Sequence, residues 1–403
     1  FAINTDGTGF TNLHSFTASF GSYPFYANND GANPLDGLIL SGNTLYGTTD
    51  SGGMYGDGTI FSINTNGMSF TNLYSFTATS YPGFPYTNSD GGSPLGGLVL
   101  SDNTLYGTTK FGSSSGRGAV FAINTDGTGF TNLYSFIGTG GSNPEAGLIV
   151  SGNTLYGTTF AGGSSGYGNV FRVNTDGLDF TNLHGFPSYY PTNSDGANPQ
   201  AGLILSGNTL YGTAEDGGSS DSGTVFAVNT DGSSFTNLHS FTGGDGLEPV
   251  AGLILSGNTL YGTTSQGGSS DDGTVFSIHI DGSGFTNLHI FTGSDGVIPD
   301  AGLILSGNTL YGTTSRGGSS GVGTVFSLSL PAPPQLAIIF SGIKIILTWP
   351  TNAIGFILQS TTNLVSSAIW STNLPSPVVV NGQNSVTNPI SGTQQFYRLV
   401  QQP

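Results

Sequence analysis

The tetrapeptide Leu-Tyr-Gly-Thr recurs six times, with its tyrosine at Tyr46, Tyr106, Tyr156, Tyr211, Tyr261 and Tyr311. The successive intervals of 60, 50, 55, 50 and 50 residues define a unit in the size range of propeller blades. Within one unit four segments favour extended backbone: GLILSG, NTLYGTT, GTVFSIN and FTNLHSF. Each carries β-branched or aromatic residues and is bounded by Gly, Asn, Asp or Ser, which reverse the chain. No segment has a useful helical apolar period, and each interior glycine would cost a helix about 1 kcal/mol relative to alanine. The turns SGN and TDG place residues that tolerate positive φ between neighbouring strands. Each unit is therefore predicted to be a four-stranded up-and-down meander, one blade of a propeller.

The order GLILSGNTLYGTT, GTVFSINTDG, FTNLHSF resembles a kelch-type blade, with Tyr-Gly-Thr where kelch blades have a tyrosine followed by two glycines, and Phe in place of the usual Trp. More specifically, the copies resemble the tandem repeat called GloVer, known from bacterial surface proteins with varied C-terminal anchors. The resemblance covers residues 1 to about 330 through the ordered YGTT, GTVF and DG elements. It implies a secreted or surface-attached propeller, and it brings neither an established activity nor catalytic residues.

The strand around Phe-x-Ile-Asn occurs seven times, at Phe1, Phe61, Phe121, Phe171, Phe226, Phe276 and Phe326, whereas the other three occur six times. One strand is surplus to six blades. Because an open ring leaves hazardous sheet edges, the favoured expectation pairs residues 302–330 with residues 10–16 in one composite blade. Phe1–Asn4 then competes with Gly323–Leu330 for one place. Two further readings stay open: a native chain that begins upstream of Phe1, and a spare strand that pairs with another molecule.

Beyond Leu330 the stretch PAPP, residues 331–334, marks a linker. Residues 335–403 lack the repeat, hold both tryptophans, Trp349 and Trp370, and alternate in KIILTW, FILQST, VVV and QFYRLV. They are predicted to form a small β-sandwich of fibronectin or immunoglobulin type, with Trp349 as its core aromatic. The expected fold is all-β: a six-bladed kelch-like β-propeller over residues 1–330, then the sandwich.

Composition narrows the chemistry. The formal net charge is −17 and the six basic residues, Lys110, Arg117, Arg172, Arg316, Lys344 and Arg398, are scattered, so nucleic acid and anionic lipid are poor partners. No apolar run is long enough for a membrane span. Cysteine is absent, which removes thiolate nucleophiles and disulfides and fits a secreted protein.

Four of the five histidines, His14, His184, His239 and His289, share one repeat position, where Tyr74 and Tyr134 stand in other copies. They read as half-exposed aromatics of the outermost strand, since equivalent residues of neighbouring blades diverge too far to hold one metal ion. Asp6, Asp126, Asp176, Asp231 and Asp281 belong to the TDG turn. A second series, Asp30, Asp90, Asp195, Asp245 and Asp295, precedes the inner strand. Its NNDGANP and NSDGANP contexts would suit calcium, without the full spacing of a Ca²⁺ loop, so turn-making is the favoured role. The GGSSG segments lack a phosphate-loop ending. No nucleophile elbow emerges, and nothing singles out a glycosidase carboxylate pair.

The informative feature is where the copies differ. The loop between the second and third strands and the loop to the next unit emerge on one face, and both vary. The first series carries Tyr55 and Asp57, Lys110, Phe111 and Arg117, Phe160 and Tyr167, Glu215 and Asp216, then Arg316. The second has aromatic insertions: Phe20, Tyr23, Phe25 and Tyr26, then Tyr81, Phe84 and Tyr86, then Tyr189 and Tyr190. Variable loops on a rigid scaffold are where recognition resides, and Tyr and Phe beside Asn and Asp suit sugar rings or a protein partner. The expectation is a non-enzymatic, extracellular or cell-surface protein that binds glycan or protein through Tyr23, Phe25, Tyr26, Tyr81, Phe84, Tyr86, Tyr189 and Tyr190, with no cofactor beyond the calcium those loops could take. The rival expectation is a structural subunit that forms a homo-polymer, using the surplus strand.

Overall fold

The computed structural model describes the whole chain apart from residues 5, 21–26, 81–85, 189–192, 332–333, 352–355, 365–368, 373, 390–393 and 402–403. The described residues are all-β, without a helix, and so contain none long and apolar enough to cross a membrane. Two compact units emerge: residues 1–304 with 311–326, and residues 305–310 with 327–403.

The first unit is a β-propeller-like array of antiparallel meanders. Sheet one runs Ile39–Ser41, Thr44–Thr49, Thr59–Asn64 and Thr71–Ser75, in that spatial order. Four further sheets repeat it, beginning at Val99, Ile149, Ile204 and Ile254. A sixth sheet has three strands, Ile304–Ser306, Thr309–Thr314 and Thr324–Ser329, of which residues 305–310 and 327–329 are grouped with the second unit. The predicted segments appear as strands from Ile39 onward, whereas residues 1–16 carry only the isolated Ala2–Thr11 bridge. Register explains the glycine of Leu-Tyr-Gly-Thr: Gly212 lies opposite Phe226, and a Cβ there would stand 2.6 Å from the phenyl Cζ. The third and fourth strands are offset by a bulge, as between Val225 and Phe226, which turns the outer strand.

Consecutive sheets bury a common core. Tyr46, Ile60 and Phe76 of sheet one pack with Leu98, Leu105, Phe121 and Ile123 of sheet two, and the same positions recur at the next three interfaces. Each buried Phe contributes roughly 2–3 kcal/mol. Rings also interlock across the interfaces: His184 stacks on Phe235 of the next sheet at 3.6 Å, and Tyr74 on Phe130 at 3.9 Å.

The composite blade expected from the sequence is not formed. The Ala2 amide donates to the Thr11 carbonyl at 2.8 Å and the Thr11 amide returns the bond at 2.8 Å. Residues 1–4 thereby hold the inner edge of the 10–16 segment, and among the described residues Thr324–Ser329 has no fourth strand beside it. The His14 ring stacks on Phe70 at 3.8 Å, so residues 1–16 stand against sheet one as the outer half of another sheet. Local pairing within this segment has won over the long-range pairing needed for closure.

The second unit has a sheet ordered Ala337–Ser341, Lys344–Pro350, Gln383–Pro389, Val378–Val380 and a pair, Phe356–Thr361 with Phe396–Gln401. Ile345, Leu347, Trp349, Leu358 and Val386 form its core.

Candidate binding face

The two faces of the first unit are built differently. On one, the two hairpin turns of each unit are tied together, as where the Thr125 amide donates to the Asn103 carbonyl and the Thr230 amide to the Asn208 carbonyl. In the TDG turn the carboxylate accepts from the residue two places on, Asp126 from the Thr128 amide and hydroxyl at 2.9 and 2.6 Å, and Asp231 from those of Ser233 at 2.9 and 2.6 Å. These bonds, led by the side-chain one, hold both carboxyls below the usual carboxylate range.

The opposite face carries the variable loops, and both series meet there. Isolated bridges join them, Ala32 to Ser51, Gly92 to Phe111, Ser142 to Ala161, Leu247 to Gln266 and Val297 to Arg316. Before each inner-strand proline one residue sits in the left-handed region: Asn33, Ser93, Asn143, Asn198, Glu248 and Ile298, all at φ between 54° and 59°. Its carbonyl accepts from the amide of a variable residue: Asp50, Lys110, Phe160, Glu215, Ser265 and Ser315 respectively. From Ser93 onward its own amide donates to a loop of the preceding sheet, as Ser93 does to the Asp57 carbonyl and Asn143 to the Arg117 carbonyl. Backbone bonds thus fix a rim while its side chains differ from unit to unit.

The rim borders a channel of about 1000 Å³ lined by all six units, with Leu35, Leu95, Glu145, Gln200, Val250 and Asp300 at equivalent places. Lys110 and Glu145 pair at 3.0 Å; the Lys110 ammonium also lies 5.3 Å from the Phe111 ring centre, and Tyr86 meets Phe111 edge-on at 6.5 Å. Glu215 is pushed up to about 7 by burial first, then by Asp216, Glu248 and Glu145. Its buried Oε2 has no hydrogen-bond partner among the described residues. Burial likewise raises Asp57 and Asp216.

Of the eight residues expected to bind, Tyr86 is half-buried against Phe111, whereas Tyr23, Phe25, Tyr26, Tyr81, Phe84, Tyr189 and Tyr190 lie outside the described residues. The stems of their insertions are braced. Phe20 and Ala27 exchange backbone bonds, and the Ser80 amide donates to the Thr87 carbonyl. Asn28 and Asn88 each donate to a carbonyl on both sides of the insertion, Asn28 to Thr17 and Gly31, Asn88 to Thr77 and Gly91.

One association escaped the sequence. The histidine series and the second aspartate series pair with each other: His14 with Asp30 at 2.9 Å, His239 with Asp245 at 3.0 Å and His289 with Asp295 at 2.8 Å. His184 Nε2 stands 3.3 Å from Asp195 without a hydrogen-bond geometry, and in sheet one the Tyr74 hydroxyl donates to Asp90 at 2.8 Å. Asp30, Asp245 and Asp295 also accept from the neighbouring threonine amide and hydroxyl. These carboxylates are engaged in fastening the loop to the outer strand instead of converging on an ion. No group of three His, Cys, Asp or Glu able to hold a metal occurs among the described residues. Burial lowers His184 and His239 despite their aspartates, so they stay neutral near pH 7. The hint was the shared absence: the third copy has Tyr134 and, at the aspartate's place, Gly140.

The sequence profile of the Gloeobacter/Verrucomicrobia repeat matches residues 82–262 and 188–342. No curated protein matches the chain. Similar solved structures include the nidogen/laminin complex, at 16% identity and TM-score 0.43 over 71% of this chain and 89% of that one. A gluconolactonase from Xanthomonas campestris matches at 18% and 0.42, over 78% and 91%. A puromycin-hydrolyzing peptidase of Mycobacterium tuberculosis matches at 12% and 0.44, over 82% and 52%. At these identities and scores no activity is carried across.

Proposed function

The chain belongs to the Gloeobacter/Verrucomicrobia repeat family, and on that premise we propose that it is a non-enzymatic, secreted or cell-surface, kelch-like propeller that binds glycan or protein through its variable rim. The six sheets act as its blades, and the C-terminal unit is a fibronectin- or immunoglobulin-like module. The observation that carries this reading is the rim itself: uniform backbone bonds hold twelve loop segments in place while the side chains they present, among them Lys110, Phe111, Phe160, Glu215 and Gln266, change from unit to unit. Such a division between fixed frame and changing surface is the architecture of recognition sites. Tyr86 and Phe111 offer an aromatic edge beside the Lys110–Glu145 pair, a combination suited to a sugar ring or a polar peptide. The test is capture of the full chain on a glycan array and on a panel of cell-surface proteins. Replacing Tyr86 and Phe111 together by Ala is expected to reduce capture at least about tenfold, since stacked aromatics carry roughly 1.5 kcal/mol or more at binding sites. Undiminished capture would move recognition away from this rim.

Among the described residues Thr324–Ser329 has no fourth strand beside it, which favours a second reading, a structural subunit that polymerises edge to edge. Light scattering separates the two, because a monomer of 41.1 kDa sinks the polymer.

A further inference from the structure

Charge is divided unevenly between the two units. All 23 acidic residues lie at or before Asp300, so the second unit contains no Asp or Glu, and its bases are Lys344 and Arg398. Lys344 belongs to the four-stranded sheet. Arg398 belongs to the strand pair, where it lies opposite Gln359 on the face turned away from the core residues Leu358 and Leu399. Arg398 is exposed, yet its guanidinium is held from two sides. Nε and Nη2 donate to one oxygen, Gln359 Oε1, at 3.0 and 2.8 Å, and the Trp370 ring centre lies 4.0 Å from the guanidinium carbon. The next residue, Ser371, exchanges backbone bonds with Ser360 at 2.9 and 3.0 Å, which fastens the tryptophan's segment to the strand that carries Gln359. On the other side of Trp370, Ile369 is 89% exposed, so this segment lies open to solvent.

Two properties of this arrangement point to a ligand. Gln359 is neutral, so it orients the guanidinium without cancelling its charge, and the unit has no acidic side chain that could cancel it. Both bonds use the Nε–Nη2 edge, leaving the Nη1–Nη2 edge without an acceptor among the described residues. A planar fork that is already ordered and still charged favours a planar oxyanion able to take two parallel bonds, which is a carboxylate. Phosphate polymers draw their affinity from many cations, and only one stands here. Trp370 adds a rigid apolar surface beside the fork, of the kind that sugar rings stack against. We propose that Arg398, Gln359 and Trp370 form a binding site for an acidic polysaccharide, with a uronate carboxylate on the open edge of Arg398 and the sugar ring against Trp370. One such contact is weak, and the repeated carboxylates of a polymer strengthen it by raising the effective concentration. The acid-free unit is the part of the chain that a polyanion can approach, because repulsion from the carboxylates of the first unit is screened beyond about 8 Å at physiological salt. This site is separate from the rim and stands whether or not the rim binds a ligand.

The probe is polygalacturonate, titrated into the full chain in calcium-free buffer and followed by tryptophan fluorescence. Trp349 is 3% exposed inside the core, so the expected saturable change reports Trp370. The methyl-esterified polymer keeps the ring and loses the charge, and is expected to bind at least about tenfold more weakly. Arg398→Lys should weaken binding of polygalacturonate as much, because an ammonium cannot present two parallel donors. Gln359→Glu should do the same while keeping the shape of the side chain, because it sets a carboxylate against the guanidinium. No saturable change with polygalacturonate overturns the proposal, as does undiminished binding by the ester or by either variant. Equal binding of polyglutamate would assign the site to acidic protein chains, and equal binding of dextran sulfate would show that it reads charge without regard to the carboxylate. Either result overturns the assignment to a uronate.

Discussion

Asp231 in its turn and Glu215 on the rim are both carboxylates of the same unit, yet the protein treats them in opposite ways. Asp231 is surrounded by donors from Ser233 and held below its ordinary range. Glu215 is half-buried among Asp216, Glu248 and Glu145 and pushed up to about 7. One face spends its carboxylates on fixing the backbone. The other fixes its loops by backbone bonds and His–Asp contacts and leaves the Glu215 carboxylate underpaired. An underpaired, partly desolvated group retains interaction energy for something that is not yet bound, which is why the rim and not the turn face is the candidate site.

The largest effect should come from removing the rim's electrostatic strain. The folded pKa of Glu215 lies above its ordinary 4.5, so its contribution is fully present below about pH 4.5 and is lost as pH rises through 7. Glu215→Gln should therefore stabilise the protein at pH 8 by about 1–2 kcal/mol, after allowance for partial solvent screening, and have little effect at pH 4.5. Urea midpoints of both proteins at the two pH values check this. Equal shifts at both would mean that the rim is no more strained than the turns.

A smaller gain is expected at Ile298. Five rim positions place Asn, Ser or Glu in the left-handed region, and the sixth places a β-branched residue there at φ 59°. Ile298→Asn should raise stability by about 1 kcal/mol, read from the thermal midpoint. No gain would show that packing of the isoleucine offsets its backbone cost.

Asp231→Ala should have the smallest effect and the opposite pH sense. A carboxyl held below its usual 3.8 contributes stability above that value and loses it as pH falls through the folded pKa. Denaturation curves between pH 2 and 5 should separate variant from parent in their upper part and converge at the acid end. A difference that grows toward low pH would contradict the assignment of stabilising bonds to the turn.

The sequence made the four-stranded unit legible because each strand is a local statement: apolar alternation bounded by turn residues, with Gly212 reserved for the ring of Phe226. Trp349 was readable as a core residue for the same reason. The two loop series could be assigned to one face from strand parity alone, and the bridges from Ala32 to Ser51 and from Gly92 to Phe111 give the physical join. The His–Asp fastening was legible only as the joint absence of both residues from the third copy, because 16 residues separate His14 from Asp30 and 6 separate His239 from Asp245, and no periodicity links groups across a loop of changing length. The composite blade failed for a related reason. Residues 1–4 and 326–329 occupy the same repeat position, so pattern could not rank them, and the ranking is set by chain proximity of Ala2 to Thr11.

The ring interlocks between sheets, His184 on Phe235 and Tyr134 on Phe180, couple each unit only to its neighbours. A chain built this way melts more like a zipper than like a globule. Amide exchange should be slowest in the middle units and quicken toward sheet six, where Thr324–Ser329 has no fourth strand beside it among the described residues. Fraying, not global collapse, then sets how long the array keeps its form, and whatever caps that edge governs its lifetime.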